Sequence, residues 1–212
     1  GRPHDTHAHS RRPRRPHQQM KPTAPLTKRL PERPRWAVAA ATGITAVTLG
    51  LGWWAFDLLT MTIFTAGFAG GLLLWLFFPA GGLWADVRMP FWIALSLFLL
   101  HRVEEKQMEF FAFLATVTGT SKPSATSLPV LLLVAVSVGA WLLTPILMRR
   151  NHPLGRYLAW TFFASMGLTE LAHFAVFPWL NPSGITAYVP GMWTVLALAP
   201  VAWWGMWRLV RG

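Results

Sequence analysis

The sequence predicts an all-α protein, a polytopic membrane helix bundle of about six transmembrane helices. Of its 212 residues, 53% are hydrophobic and only 13% are charged, whereas soluble domains average roughly 25% charged residues. Apolar stretches of membrane-spanning length recur along the chain and are separated by Gly, Pro or charged residues. The expected spans are residues 36–55, 58–78, 90–117, 128–148, 154–177 and 190–210.

The formal net charge of +11 is concentrated at the N-terminus. Residues 1–35 carry ten Lys and Arg against two acidic residues and have almost no large apolar side chain. We therefore expect a disordered basic tail over 1–35 and a transmembrane domain over 36–212. Because the positive charge belongs to a tail, no nucleic-acid partner is expected. The irregular spacing of four His in the tail favours a solvated segment over a metal site.

The distribution of Lys and Arg predicts the orientation in the membrane. By the positive-inside rule the tail is cytoplasmic, and six spans return the C-terminus to the same side of the cell's inner membrane. The basic turn 149–156 then also lies inside, and Lys122 is the only base expected in an outer loop. The chain has no Cys, which excludes disulfides and thiolate metal sites.

The third expected span is apolar at both ends but ionisable in its middle. At about 100° per residue in a helix, four of its side chains share an arc of roughly 140°. Arg102 and Lys106 fall just outside that arc. Ionisable groups at such a depth are costly and usually functional. The four side chains on the arc are His101, Glu104, Glu105 and Glu109.

A second cluster lies in the fifth expected span. Glu170 and His173 are three residues apart and so share one helix face. Counted along their spans, both clusters lie at the same level, in the outer half of the bilayer. If spans three and five adjoin, the clusters converge on one polar pocket.

Together the two clusters supply four carboxylates and two imidazoles. This is the ligand count of bundles with a carboxylate-bridged pair of iron or manganese ions, although the order of the motifs differs. Two divalent cations would balance four buried negative charges; we expect iron, with manganese or zinc as alternatives. The expected metal ligands are His101, Glu104, Glu105, Glu109, Glu170 and His173, with Glu104 and Glu105 also catalytic.

Simpler interpretations of the same residues remain open. The glutamates of the third span can form salt bridges with Arg102 and Lys106, although two cations cannot neutralise three anions. Glu170 and His173 can form a buried hydrogen-bonded pair. Asp57, between the first two spans, fits an interfacial helix cap better than a metal ligand.

The stretch from His101 to Glu105, HRVEE, resembles the signature of the HXXEE family of integral membrane proteins. The later ELAH, residues 170–173, and YVPG, residues 188–191, are similar to elements of the family's second half. The resemblance covers roughly residues 50–205 and implies a metal-dependent membrane enzyme. At the position of Glu170 the family has Asn, so this chain offers one more carboxylate.

These observations favour a membrane-embedded metalloenzyme, a non-haem di-iron oxidase or oxygenase that uses O₂. Its expected partners are the lipid bilayer, a small or lipophilic substrate and a redox partner. Oxygen and imidazole ligands without sulfur suit iron or manganese. Two alternatives use the same carboxylates: a zinc-dependent hydrolase, and a proton-coupled or cation transporter.

Overall fold

The computed structural model describes residue 1 and residues 33–79, 81–122 and 124–212, and within these ranges it is helical with no strand. The expected tail therefore lies largely outside the described residues. The α-helices are α1 (Arg35–Ala55), α2 (Leu58–Phe77), α3 (Trp84–Gln107), α4 (Phe110–Thr118), α5 (Leu128–Arg149), α6 (Pro153–Ala164), α7 (Ala172–Ala175), α8 (Phe177–Leu180) and α9 (Met192–Arg211). A π-helical turn, Ser165–Thr169, continues α6.

Three of these helices are long and apolar enough to cross a membrane. They are α1, α2 and α5, with mean hydropathies of 1.4, 1.7 and 2.4. The prediction of membrane helices is confirmed to that extent. α3 is longer than any of them at 24 residues, but six charged side chains lower its hydropathy. α9 carries four Trp and two Arg among its 20 residues.

Basic side chains gather at one end of the bundle. There Arg33 donates a hydrogen bond to the Phe78 carbonyl at 2.8 Å, and the Gly82 N–H donates to the Leu209 carbonyl at 3.1 Å. α1, α3 and α6 begin at this end, and α2, α5 and α9 end there. The arginines in and beside these helix ends include Arg33, Arg35, Arg149, Arg150, Arg208 and Arg211.

α2 packs closely against α6 and the π-helical turn because two glycines face them. A Cβ at Gly67 would come within 2.1 Å of the Ser165 Oγ, and one at Gly71 within 2.4 Å of the Thr161 Cα. Small residues four apart on one helix let two backbones approach in this way. The contact fixes the level at which the chain leaves the regular helix before Glu170.

Two expected spans are interrupted, which corrects their predicted course. The third is one helix only to Gln107, since Glu109 adopts a left-handed conformation (φ 53°) and α4 starts again at Phe110. The fifth divides into α6, the π-helical turn and the short helices α7 and α8. Both interruptions lie beside ionisable residues, at Glu109 and just before Glu170.

Candidate metal centre

Two segments deliver four ionisable side chains to one point inside the bundle. His101 and Glu105 lie one turn apart on α3 and share its inner face. Glu170 follows the π-helical turn, where its N–H donates to the Ser165 carbonyl at 3.3 Å, and His173 lies on α7. π-Helical turns of this kind are frequent at functional sites. The structure thus brings together four of the six expected ligands.

The donor atoms have the spacing of a single coordination shell. The His101 Nε2 lies 3.4 Å from the Glu105 Oε1 and 3.1 Å from the Glu170 Oε2. The His173 Nε2 lies 3.5 Å from each of the same two oxygens. Four donors held tetrahedrally at about 2.1 Å from one ion would lie roughly 3.4 Å apart. A divalent cation therefore fits between them without any large movement, and this buried His/Glu cluster could bind metal.

The site is buried, and its polar atoms are incompletely satisfied. The side chains of His101, Glu105 and His173 are 0%, 6% and 2% exposed, and that of Glu170 is 11% exposed. The Glu105 Oε1, which faces both imidazoles, has no hydrogen-bond partner. A buried carboxylate oxygen without a partner is costly. A cation at the centre would remove that cost.

Arg102 belongs to the site, contrary to the expectation that it lies off the ligand face. It is 2.8 Å from the Glu105 Oε2 and 3.2 Å from the Glu170 Oε1. Its long side chain crosses the ring of Phe98 at 5.1 Å, so it reaches the carboxylates from the side. It contacts their outer oxygens and leaves the inner ones turned toward the two imidazoles.

Glu104 supports the site without entering it. Its Oε2 accepts a hydrogen bond of 2.5 Å from the Thr194 hydroxyl, and the same Oγ1 lies 2.8 Å from the His101 Nδ1. Because that hydroxyl donates to the carboxylate, it accepts from the Nδ1–H of His101. The Nε2 is then the ring nitrogen that faces Glu105 and Glu170, and it could ligate a metal ion once it gives up its proton.

Glu104 also caps α9. Its carboxylate accepts from the backbone N–H groups of Trp193 and Thr194 and from the Tyr188 hydroxyl, at 3.2, 2.9 and 2.6 Å. A negative charge at a helix N-terminus is stabilising. In this structure Glu104 therefore lies outside the four-residue cluster, and its contacts hold α9 and orient His101.

Glu109 does not join the cluster either. It is exposed at the left-handed turn between α3 and α4, because the end of α3 interrupts the arc that had placed it with His101. Asp57 accepts from the N–H groups of Leu59 and Thr60 at 2.9 and 3.0 Å, so its expected role as a helix cap is confirmed.

Sequence reasoning missed Gly191, on which both imidazoles rest. Its φ is +100°, and a Cβ there would lie 2.7 Å from the Cε1 of His101 and 2.7 Å from the Cε1 of His173. Thr194 and Tyr188 were missed as well. Their one signal was the resemblance of YVPG to a family element; it stands 15 residues beyond His173, and nothing in the spacing assigns it to the site.

A cavity of about 360 Å³ opens beside the four side chains. Arg102, Glu105, Glu170 and His173 form part of its wall, and aromatic and aliphatic residues of α2, α3, α4 and α5 form most of the rest. The arrangement therefore combines a buried donor set with space for a mostly apolar molecule.

Comparisons with protein-family models, with curated proteins and with solved structures found no match. Function is therefore inferred from the donor set, its burial and the adjoining cavity.

Proposed function

We propose that this chain is a membrane-embedded, iron-dependent oxidoreductase acting on a lipophilic substrate. The observation that carries the proposal is the convergence of four buried donors at 3.1–3.5 Å beside an apolar cavity. The resemblance of HRVEE to the HXXEE signature supports the same conclusion, and we propose membership of that family.

The donor geometry favours one metal ion over the expected pair. Both carboxylates direct one oxygen toward the centre and the other toward Arg102, so neither is free to bridge a second ion. Glu104 and Glu109, which a second ion would need, point elsewhere. One divalent cation and Arg102 together carry slightly more positive charge than the two carboxylates carry negative charge. A buried site tolerates this small excess better than it would tolerate four anions.

Iron suits this donor set better than zinc as a catalytic ion. Two imidazoles and two carboxylates already complete the tetrahedral shell of a structural zinc site. Iron and manganese accept five or six ligands and favour the same nitrogen and oxygen donors. Iron held there would supply one-electron oxidation with O₂ as oxidant, and an external redox partner would supply electrons.

The residues of the chain have separate tasks in this proposal. His101, Glu105, Glu170 and His173 would hold the ion. Thr194 keeps the His101 ring in its ligating tautomer. Arg102 pairs the outer carboxylate oxygens, and the apolar cavity walls exclude water.

The decisive experiment is elemental analysis of protein purified in detergent without added metal. We expect about one iron per chain, bound strongly enough to survive purification because folded ligands are preorganised. Glu105→Gln and Glu170→Gln should each lose at least about tenfold in affinity, since outer-shell changes alone cost that much. Glu109→Gln, which alters an exposed carboxylate, is the matched control and should keep its metal.

Other outcomes would redirect the proposal. Zinc in place of iron, with no O₂ consumption, would favour a structural site or a hydrolase. Uptake of cations by proteoliposomes without retained metal would favour the transporter. Wild-type protein that binds no divalent metal, even after incubation with iron, manganese and zinc, would overturn the metalloenzyme.

A further inference from the structure

An indole on α9 donates a hydrogen bond to the backbone of the π-helical turn. The Trp203 Nε1–H donates to the Gly167 carbonyl at 2.7 Å. A Cβ at Gly167 would stand 2.9 Å from the Trp203 Cδ1, so a residue without a side chain is needed for the ring to come this close. Trp203 is itself 44% exposed, and burial of the ring therefore does not by itself explain the contact.

The carbonyl that receives this bond lies where the backbone pattern changes. The Glu170 N–H donates to the Ser165 carbonyl, five residues back, and the His173 N–H donates to the Glu170 carbonyl, three residues back. In a regular α-helix the Gly167 carbonyl would accept from the N–H of Leu171; here it accepts from an indole. Side chains that bond to main-chain carbonyls in this way stabilise irregular helix geometry.

The geometry of the turn determines where two of the four donors point. Glu170 and His173 follow Gly167 by three and six residues. If the turn closed into regular α-helix, the segment after it would rotate by about 100° for each residue gained or lost. The bond at Gly167 thus acts on the donor set through the backbone, without a contact to any donor atom.

α9 also holds the other half of the donor set. The Thr194 Oγ1, on the same helix, lies 2.8 Å from the His101 Nδ1. Thr194 and Trp203 are nine residues apart, which is roughly 14 Å along the helix axis. One continuous helix is therefore bonded both to a donor on α3 and to the turn that leads to the other two donors.

We propose that Trp203 is a positioning residue for the candidate metal centre. Its indole N–H holds the turn in its wide form and so keeps Glu170 and His173 facing His101 and Glu105. This inference rests on the proposed function in so far as an ion occupies the centre, and it adds a residue that is distant from the donor atoms and acts on them through the Gly167 carbonyl.

The first test measures the affinity and the visible absorption of Co²⁺ bound to the full chain in detergent. Co²⁺ accepts the same nitrogen and oxygen donors, and its absorption bands depend on the arrangement of the ligands. Trp203→Phe keeps an aromatic ring but has no N–H. We expect it to bind Co²⁺ about tenfold more weakly than wild type, the usual effect of losing a partner outside the ligand shell, and to change the spectrum.

Trp204→Phe is the matched control, because Trp204 is the next residue, is 40% exposed and has the same ring. It should leave the affinity and the spectrum unchanged. Equal Co²⁺ affinity and identical spectra in wild type, Trp203→Phe and Trp204→Phe would overturn the role of Trp203.

Trp203→His separates the hydrogen bond from the packing of the ring. The imidazole Nε2–H takes the place of the indole N–H in the five-membered ring, but the benzene ring of the indole is lost. We expect Trp203→His to recover most of the affinity that Trp203→Phe loses, although its unfolding temperature should fall because less apolar surface is buried. Recovery by neither variant, or retention by Trp203→Phe alone, would assign the effect to packing and reject the positioning bond.

Hydrogen exchange in metal-free protein separates this inference from the proposed function. Peptides that cover residues 165–173 should exchange faster in Trp203→Phe than in wild type and should be unchanged in Trp204→Phe, since the turn opens more readily without the bond. Faster exchange in a chain whose wild type binds no metal would keep Trp203 as the support of the turn and reject the iron enzyme. Unchanged exchange would reject the role of Trp203, whatever metal the wild type holds.

Discussion

Gly191 and His173 are in direct contact: a Cβ at position 191 would stand 2.7 Å from the His173 Cε1 and 3.0 Å from its Nδ1. Gly191 also has φ +100° and lies where α9 begins. The start of α9 therefore packs against the imidazole and fixes its position relative to Glu105 and Glu170.

We expect Gly191→Ala to displace both imidazoles and to abolish metal binding. Left-handed backbone strain alone should cost about 1–3 kcal/mol. The matched control is Gly184→Ala, because Gly184 has φ +99° but its Cβ would meet nothing within 4 Å. Thermal unfolding should show similar strain in both variants, and elemental analysis should show metal loss in Gly191→Ala alone. Metal retained in both would separate Gly191 from the site.

Thr194→Val tests the link between Glu104 and His101. Valine keeps the shape but removes the hydroxyl that accepts from the His101 Nδ1, so the imidazole loses its fixed tautomer. Loss of such an outer partner typically lowers metal affinity about 10–100-fold. Thr194→Ser should restore binding, and Thr116→Val, on exposed α4 surface, should leave it unchanged. Competition titration with a metal indicator gives the affinities.

Gly67→Ala should push α2 away from the π-helical turn. The new methyl group would overlap Ser165, and overpacking of this kind costs about 1–3 kcal/mol. Gly70→Ala lies on the same helix, where a Cβ would meet nothing within 4 Å; it should be neutral or slightly stabilising. Unfolding temperatures in detergent compare the two, and equal values would mean that the close approach is not required.

The cap at Asp57 should make stability depend on pH. Burial raises the pKa of this carboxyl, but hydrogen bonds from the Thr60 side chain and from the N–H groups of Thr60 and Leu59 outweigh it and leave the pKa below its usual value. A lowered folded-state pKa stabilises the fold above the unfolded-state pKa, and the contribution is lost as pH falls through the folded value. Asp57→Ala should cost about 1 kcal/mol at neutral pH, and the difference from wild type should shrink in acid.

Orientation can be tested directly because the chain has no Cys. Lys122 precedes α5 and Arg150 follows it at the basic end; the 22-residue helix between them is roughly 33 Å long. Lys122→Cys should react with an impermeant thiol reagent added outside, and Arg150→Cys only after the membrane is opened. The reverse pattern would invert the predicted topology.

The apolar pattern predicted the main helices, and the 3.6-residue period placed His101 with Glu105, and Glu170 with His173. The period could not place Glu109, because a single left-handed residue after α3 lies outside a helical projection. Glu104 lay at the edge of the predicted arc. There it accepts hydrogen bonds from the N-terminus of α9, which is distant in sequence.

Arg102 shows a second limit of sequence geometry. Its Cα–Cβ bond points away from the ligand face, yet its long side chain can reach across a turn. The π-helical turn left no signal at all, since an apolar stretch reads alike in α- and π-helical form. The candidate donors could be read from the sequence, but tertiary contacts determine which of these donors meet.

The π-helical turn Ser165–Thr169 amounts to one residue more than an α-helix would need over the same rise. If Leu168, which is 46% exposed, were deleted, the strain of the wide turn would be relieved and the helix could run on regularly. Everything after it would then rotate by about 100°, carrying Glu170 and His173 away from α3. The one additional residue thus sets the rotation of the segment that follows it. Only at that rotation do Glu170 and His173 face the other two donors, His101 and Glu105, on α3.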